Sequence, residues 1–114
     1  MATERSLPRE SWTRFFDLMS KAMLGRSAEI EVSSLDLGDQ IVAEWVPMLG
    51  ITYEPHGDVL IVGLDRLNHQ ILHPLDILVQ EVSDGITSVA IVAQDGSKEV
   101  VRLKSPLMLP AAAG

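Results

Sequence analysis

The sequence predicts an α+β domain: an N-terminal amphipathic helix, then a strongly bent antiparallel β-meander curled into a half-barrel or small barrel. Three observations carry that expectation. One stretch alone has extended helical periodicity, and it lies at the N-terminus. The later apolar runs alternate with period two and end in turn chemistry. No second helical pattern separates the strands, so parallel crossover units have no place to form.

The helix is expected over residues 7–25. Trp12, Phe15, Phe16, Met19, Ala22 and Met23 recur at spacings of three and four, with Glu10, Arg14, Asp17 and Lys21 on the opposite stripe. Pro8 suits a first turn, where its missing N–H is not needed, and Gly25 suits a stop. The first strand, residues 28–35, alternates Ile30 and Val32 with Glu29 and Glu31 and closes at Asp36-Leu37-Gly38-Asp39. Residues 40–54 alternate straight through two strand breakers, Pro47 and Gly50. Counting by twos places Ile41, Ala43, Trp45, Pro47, Leu49, Ile51 and Tyr53 on one face. A proline cannot donate to a ladder and a glycine often marks a bulge, so this reads as one long, sharply bent strand that turns a corner of the sheet.

Glu54-Pro55-His56-Gly57-Asp58 then makes a hairpin into residues 59–63. Asp84-Gly85 and Asp95-Gly96 supply residues that tolerate positive φ, which joins 76–83, 86–94 and 97–103 into a three-strand meander. A bent strand beneath a covering helix favours a half-barrel or small closed barrel over a flat sheet.

With 114 residues, 46% of them hydrophobic, the chain suits one domain over residues 1–110, with 111–114 as a disordered tail. The lack of cysteine excludes disulfides, thiolate zinc sites and a cysteine nucleophile. Apolar runs such as VLIVGL fall short of the roughly 20 residues that cross a bilayer. MATERSLPRE lacks the apolar segment of a secretory signal. The expectation is a soluble bacterial protein of the cytoplasm with no membrane partner. Nine basic against sixteen acidic residues give a net charge of -7, which repels phosphate backbones, so no nucleic-acid partner is expected. An RNA-binding barrel fits a helix followed by a meander but conflicts with this charge and with the lack of basic residues interleaved with exposed aromatics.

Pro8, Trp12 and Phe16 in the helix are followed by EWVPMLGITYE, DVLIV, HQILHP and AQDG, then RLKSPLMLP. This ordered succession resembles a family of small bacterial proteins classified as a domain of unknown function, over nearly the whole chain. The resemblance implies a single-domain bacterial protein and carries over no functional residue.

Candidates for chemistry therefore rest on the residues themselves. On a helix, His69 and His73 would share a face and could bind one metal; on a strand they stand roughly 13 Å apart and could not. The alternation of Arg66, Asn68 and Gln70 with Leu67, His69 and Ile71, and the helix-ending Pro74, favour a strand. Two histidines hydrogen-bonded at a sheet face is the plainer reading, so no metal and no cofactor are expected. His56 reads as a solvated turn residue. Asp36, Asp39, Asp58, Asp65, Asp84 and Asp95 occupy turn or strand-edge positions that favour aspartate. Glu44 and Glu54 form the one carboxylate pair worth weighing for acid/base work. No G-x-S-x-G elbow or glycine-rich phosphate loop is present, and no catalytic residue is assigned.

Two functional readings stand. The first is a non-catalytic binding or assembly module. SPLMLP places Leu107, Met108 and Leu109 between prolines, too apolar to be left in water, so they seal the domain's own core or form the contact of a homodimer. The second is a small-ligand or enzyme pocket lined by Trp45, Tyr53, His69 and His73, with the bent strand as its wall.

Overall fold

The computed structural model describes residues 3–23, 26–34, 38–65 and 67–109. The elements run β1 (Thr3–Ser6), a 3-10 turn (Arg9–Ser11), α1 (Trp12–Met23), β2 (Ser27–Ser34), β3 (Gly38–Glu54), β4 (Val59–Leu64), β5 (Leu67–Leu72), β6 (Pro74–Val82), β7 (Gly85–Ala93) and β8 (Lys98–Leu107). The expected helix stop at Gly25, Asp36 and Leu37 of the first turn, Arg66, and the tail at 111–114 lie outside the described residues.

All pairings are antiparallel and build one eight-stranded sheet in the order β1-β6-β7-β8-β2-β3-β4-β5. The α+β class and the antiparallel sheet follow the sequence expectation. The closed barrel does not. β5 and β6 are separated by His73 alone, yet they lie near opposite ends of the sheet order. The sheet must therefore curl strongly to bring its ends together. His73 sits in the left-handed region (φ 52°), and one such residue makes a corner rather than a hairpin, so β5 and β6 diverge without pairing. The result is a curled sheet with an open side.

α1 fills the concave face with Trp12, Phe15, Phe16, Met19 and Met23, all at most 1% exposed. Each such burial contributes roughly 1.5–3 kcal/mol, and Phe16→Ala would cost about 3–5 kcal/mol. The helix is also stitched to β3 by polar contacts. Ser20 Oγ accepts the Ile51 N–H at 2.8 Å and donates to the Ile51 carbonyl at 2.7 Å. β2 pairs with β3 only as far as Pro47, so beyond it a helical hydroxyl serves the backbone groups that a strand would otherwise serve.

The segment 40–54 is one bent strand, but its alternation does not survive the bend. β3 carries extra residues opposite β2, where Ala28↔Val46 is followed by Ile30↔Ala43 and then Glu31↔Ile41, and opposite β4 between Met48↔Leu64 and Gly50↔Gly63. Each bulge inverts the phase. Trp45 (φ 49°) and Leu49 are therefore exposed instead of sharing the face of Ala43 and Ile51, and Met48 is buried. The bend is pinned by Met48 N–H donating to the Arg26 carbonyl at 2.9 Å and Asp65 N–H donating to the Pro47 carbonyl at 3.1 Å.

The last strand runs further than its alternation predicted. Ser105, Pro106 and Leu107 belong to β8, and Leu107, 2% exposed, pairs with Ile86 beyond a register shift that accommodates the proline. Of the SPLMLP apolar residues, Leu107 is built into the core, Leu109 packs partly against it and Met108 is exposed.

Candidate functional site

The curl leaves a cleft of about 330 Å3 between β5 and the inner faces of β2, β7 and β8. Its geometry follows from three local choices in the sequence. Asp95-Gly96 closes the β7–β8 hairpin, with Asp95 Oδ1 accepting the Ser97 N–H at 2.9 Å and the Ser97 hydroxyl at 2.6 Å. The Ser97 hydroxyl is the main reason the Asp95 carboxyl titrates below its ordinary range. The His73 corner then holds β5 against this hairpin, because the Gln94 N–H donates to the His73 carbonyl at 2.9 Å.

The third choice is Glu99. Along β8, Val101 lies on the inward phase while Lys98 and Arg102 lie on the other. Glu99 shares the phase of Val101 and is only 6% exposed, opposite Val32 on β2. Arg102 spends its guanidinium on the opposite phase, donating to Glu29 at 3.3 Å and Glu31 at 2.9 Å. Glu99 is left with His69, whose Nε2 lies 2.5 Å from Glu99 Oε1. The contact requires a proton between the two groups. The hydrogen bond to Glu99 raises the His69 pKa, with burial opposing it and the carboxylate charge adding to the rise. Among the described residues nothing donates to Glu99 Oε2 and no side-chain oxygen is both sealed from solvent and unpartnered, so Oε2 keeps some exposure, and Glu99 lines the cleft. The arrangement can hold a proton, and it can accept a hydrogen bond from a guest.

A second polar cluster lies beyond the His73 corner. Tyr53 is buried edge-on to Trp12, with ring centroids 5.1 Å apart, and its hydroxyl donates to Asp58 Oδ1 at 2.7 Å. Arg9 donates to the same hydroxyl at 3.0 Å, to Asp58 Oδ1 at 3.3 Å and to the Pro74 carbonyl at 3.0 Å, and its guanidinium stacks 4.4 Å over Trp12. His73 Nδ1 lies 3.4 Å from Asp58 Oδ2, and the His73 N–H donates to the Asp58 carbonyl at 2.8 Å. Burial, then the bond to Asp58, pushes the Tyr53 hydroxyl up, and the Tyr53 hydrogen bond is the first cause holding Asp58 down. This cluster fastens the 3-10 turn, the β3–β4 turn and the β5–β6 corner, and so fixes one rim of the cleft.

Of the four residues expected to line one pocket, Tyr53 and His73 meet through Asp58, His69 faces Glu99, and Trp45 stands apart on the bulged part of β3. Glu54 is engaged locally, accepting the His56 N–H at 3.0 Å. Glu99 was not singled out from the sequence, although an acidic residue in step with Val101 was a usable signal. Among the described residues no group of three metal-ligating side chains converges, and no helix is long and apolar enough to cross a membrane.

Fold and site together define a small α+β protein: a helix-filled, curled antiparallel sheet with a His–Glu cleft on its open side. Residues 3–112 match the Family of unknown function (DUF5335), and the chain belongs to that family. It is similar to an uncharacterized protein of Aquifex aeolicus (strain VF5), 34% identical over 111 residues that cover 96% of this chain and 99% of the relative. No solved structure matches.

Proposed function

We propose that this chain is a non-catalytic binding module whose ligand is a small molecule held in the β5–β8 cleft. The observation that carries this reading is Glu99, an inward carboxylate nearly shut off from solvent that lines the cleft, with one oxygen on His69 and no donor to the other among the described residues. Burying a carboxylate costs several kcal/mol unless it is paired, so a half-partnered one on a core position points to a guest that completes the set. The volume suits a compact ligand. Titrating the amide-labelled protein with a library of small fragments of mixed charge tests it. Shifts confined to Val32, Ile71, Leu72 and Ala93 are expected; a library in which no compound moves these residues refutes the reading.

A homodimer is the second reading, favoured by Leu72 and Leu75, which flank the His73 corner at 59% and 57% exposure. Sedimentation that stays monomeric at high micromolar concentration removes it.

A further inference from the structure

We propose that the cleft takes a small organic cation, a primary ammonium on a short apolar body, whose nitrogen docks on Glu99 in exchange for the Nδ1 proton of the His69 imidazolium. This deepens the reading above and rests on it.

The lining separates by chemistry. Ile71 and Leu72 on β5, Val32 on β2 and Ala93 on β7 give an apolar wall matched to a few methylenes. The charged groups on the lining are carboxylates, Glu99 at depth and Asp95 at the hairpin, beside the neutral Gln70 and Ser97, and among the described residues no lysine or arginine lines the cleft. Above the His69 pKa an anion entering would meet two like charges, at a cost that grows as water is excluded. A neutral guest could donate to Glu99 but would forgo the charge assistance that roughly doubles such a bond. An ammonium brings three donors to a cleft-lining carboxylate whose second oxygen no described residue serves.

The groups facing the His69 imidazole fix the linkage. β8 contributes Glu99, the one charged group that acts on the ring among the described residues, while Asp95 of the β7–β8 hairpin lines the same cleft. The residue paired with His69 on β4 is Val62, and Val32 of β2 lies opposite Glu99; neither adds charge. With His69 protonated, the imidazolium already neutralises Glu99, so the incoming ammonium displaces the Nδ1 proton to water and leaves the Nε2–H donating to Glu99. Charge is conserved: one cation enters and one proton leaves. Binding therefore strengthens as pH rises through the His69 pKa and levels off above it.

The test uses the full chain and three probes of one shape, n-butylammonium, n-butanol and n-butyrate, followed by amide shifts and the His69 ring nitrogens from pH 5.5 to 8.5. The expected result is n-butylammonium binding at Ile71, Leu72 and Ala93, tightening up to about tenfold per pH unit below the His69 pKa. Glu99→Gln should weaken it at least tenfold while its amide spectrum stays that of the folded protein. Should that variant fail to fold, His69→Gln decides instead, expected to retain n-butylammonium binding but with a flat pH profile. Binding of n-butyrate or n-butanol in the cleft in preference to n-butylammonium overturns the cation while leaving the small-molecule reading intact. A pH-independent n-butylammonium affinity in the unaltered protein overturns the proton exchange. No binding by these probes or by any library fragment defeats both readings.

Discussion

Gly85 offers the sharpest test of how the β8 extension is held. It opens β7 with φ 129°, and a Cβ placed there would stand 2.4 Å from the Leu107 carbonyl oxygen and 2.6 Å from its carbon. Both are backbone atoms, so no side-chain rotation relieves the overlap. Gly85→Ala carries a conformational cost of about 1–2 kcal/mol for an L residue at positive φ, and an overpacking cost of about 1–3 kcal/mol as Leu107 is driven from its buried seat. Together these come to roughly 3 kcal/mol, about 12 °C in Tm for a chain of this size. Gly96 supplies the internal control: its φ is 89°, but nothing lies within 4 Å of an added Cβ. Gly96→Ala should therefore cost about 1 kcal/mol. Urea unfolding followed by circular dichroism measures both. Equal losses would mean that Leu107 does not back onto Gly85, and the account of the β8 extension as a core-sealing arm would fall.

Ser20→Ala removes the hydroxyl that serves both backbone groups of Ile51 and should cost about 1–3 kcal/mol by urea unfolding; a loss below 0.5 kcal/mol would show that water replaces it. Because the folded pKa of His69 is raised, its stabilising contribution is fully present below the unfolded value, about 6.5, and is lost as pH rises through the folded value. Tm should thus decline above about pH 6.5, with that part of the slope absent in His69→Gln; identical profiles would contradict the pairing. Tyr53→Phe should cost about 1 kcal/mol and let the Asp58 carboxyl titrate closer to its ordinary range, read by carbon-13 shifts, whereas an unmoved Asp58 would assign its low pKa to Arg9 and His73 instead.

Much of the fold was legible because local chemistry and global structure agree. The Trp12, Phe15, Phe16, Met19 and Met23 stripe is the buried face of α1, and Asp84-Gly85 and Asp95-Gly96 sit at the hairpins they signal. What escaped was set by long-range geometry. β1 is four residues of charged and hydroxyl side chains that become a strand only because β6 offers an edge. Counting by twos fails at Trp45 and Leu49 since a bulge depends on the partner strands, which the segment does not encode alone. For the site, His69 is a strand residue as expected, whereas His73, also expected in a strand, is the left-handed corner between β5 and β6, because the turn into β6 takes the one residue before Pro74. Their carboxylate partners, Asp58 and Glu99, come from other turns and strands, and sequence spacing gives no hint of either pairing.

The strand order also determines when the sheet can be assembled. Apart from β1, added at the edge of β6, it consists of two runs of chain neighbours, β6-β7-β8 and β2-β3-β4-β5, joined where β2 pairs with β8, for example Ala28 with Leu103. Each run can zip through short loops, but the join closes a loop of most of the chain and carries that entropy before its own contacts form. During synthesis β2 therefore waits with one edge unpaired until β8 has emerged. Its alternating Glu29 and Glu31 then act as guards, charges that discourage another chain from pairing with that edge in the interval.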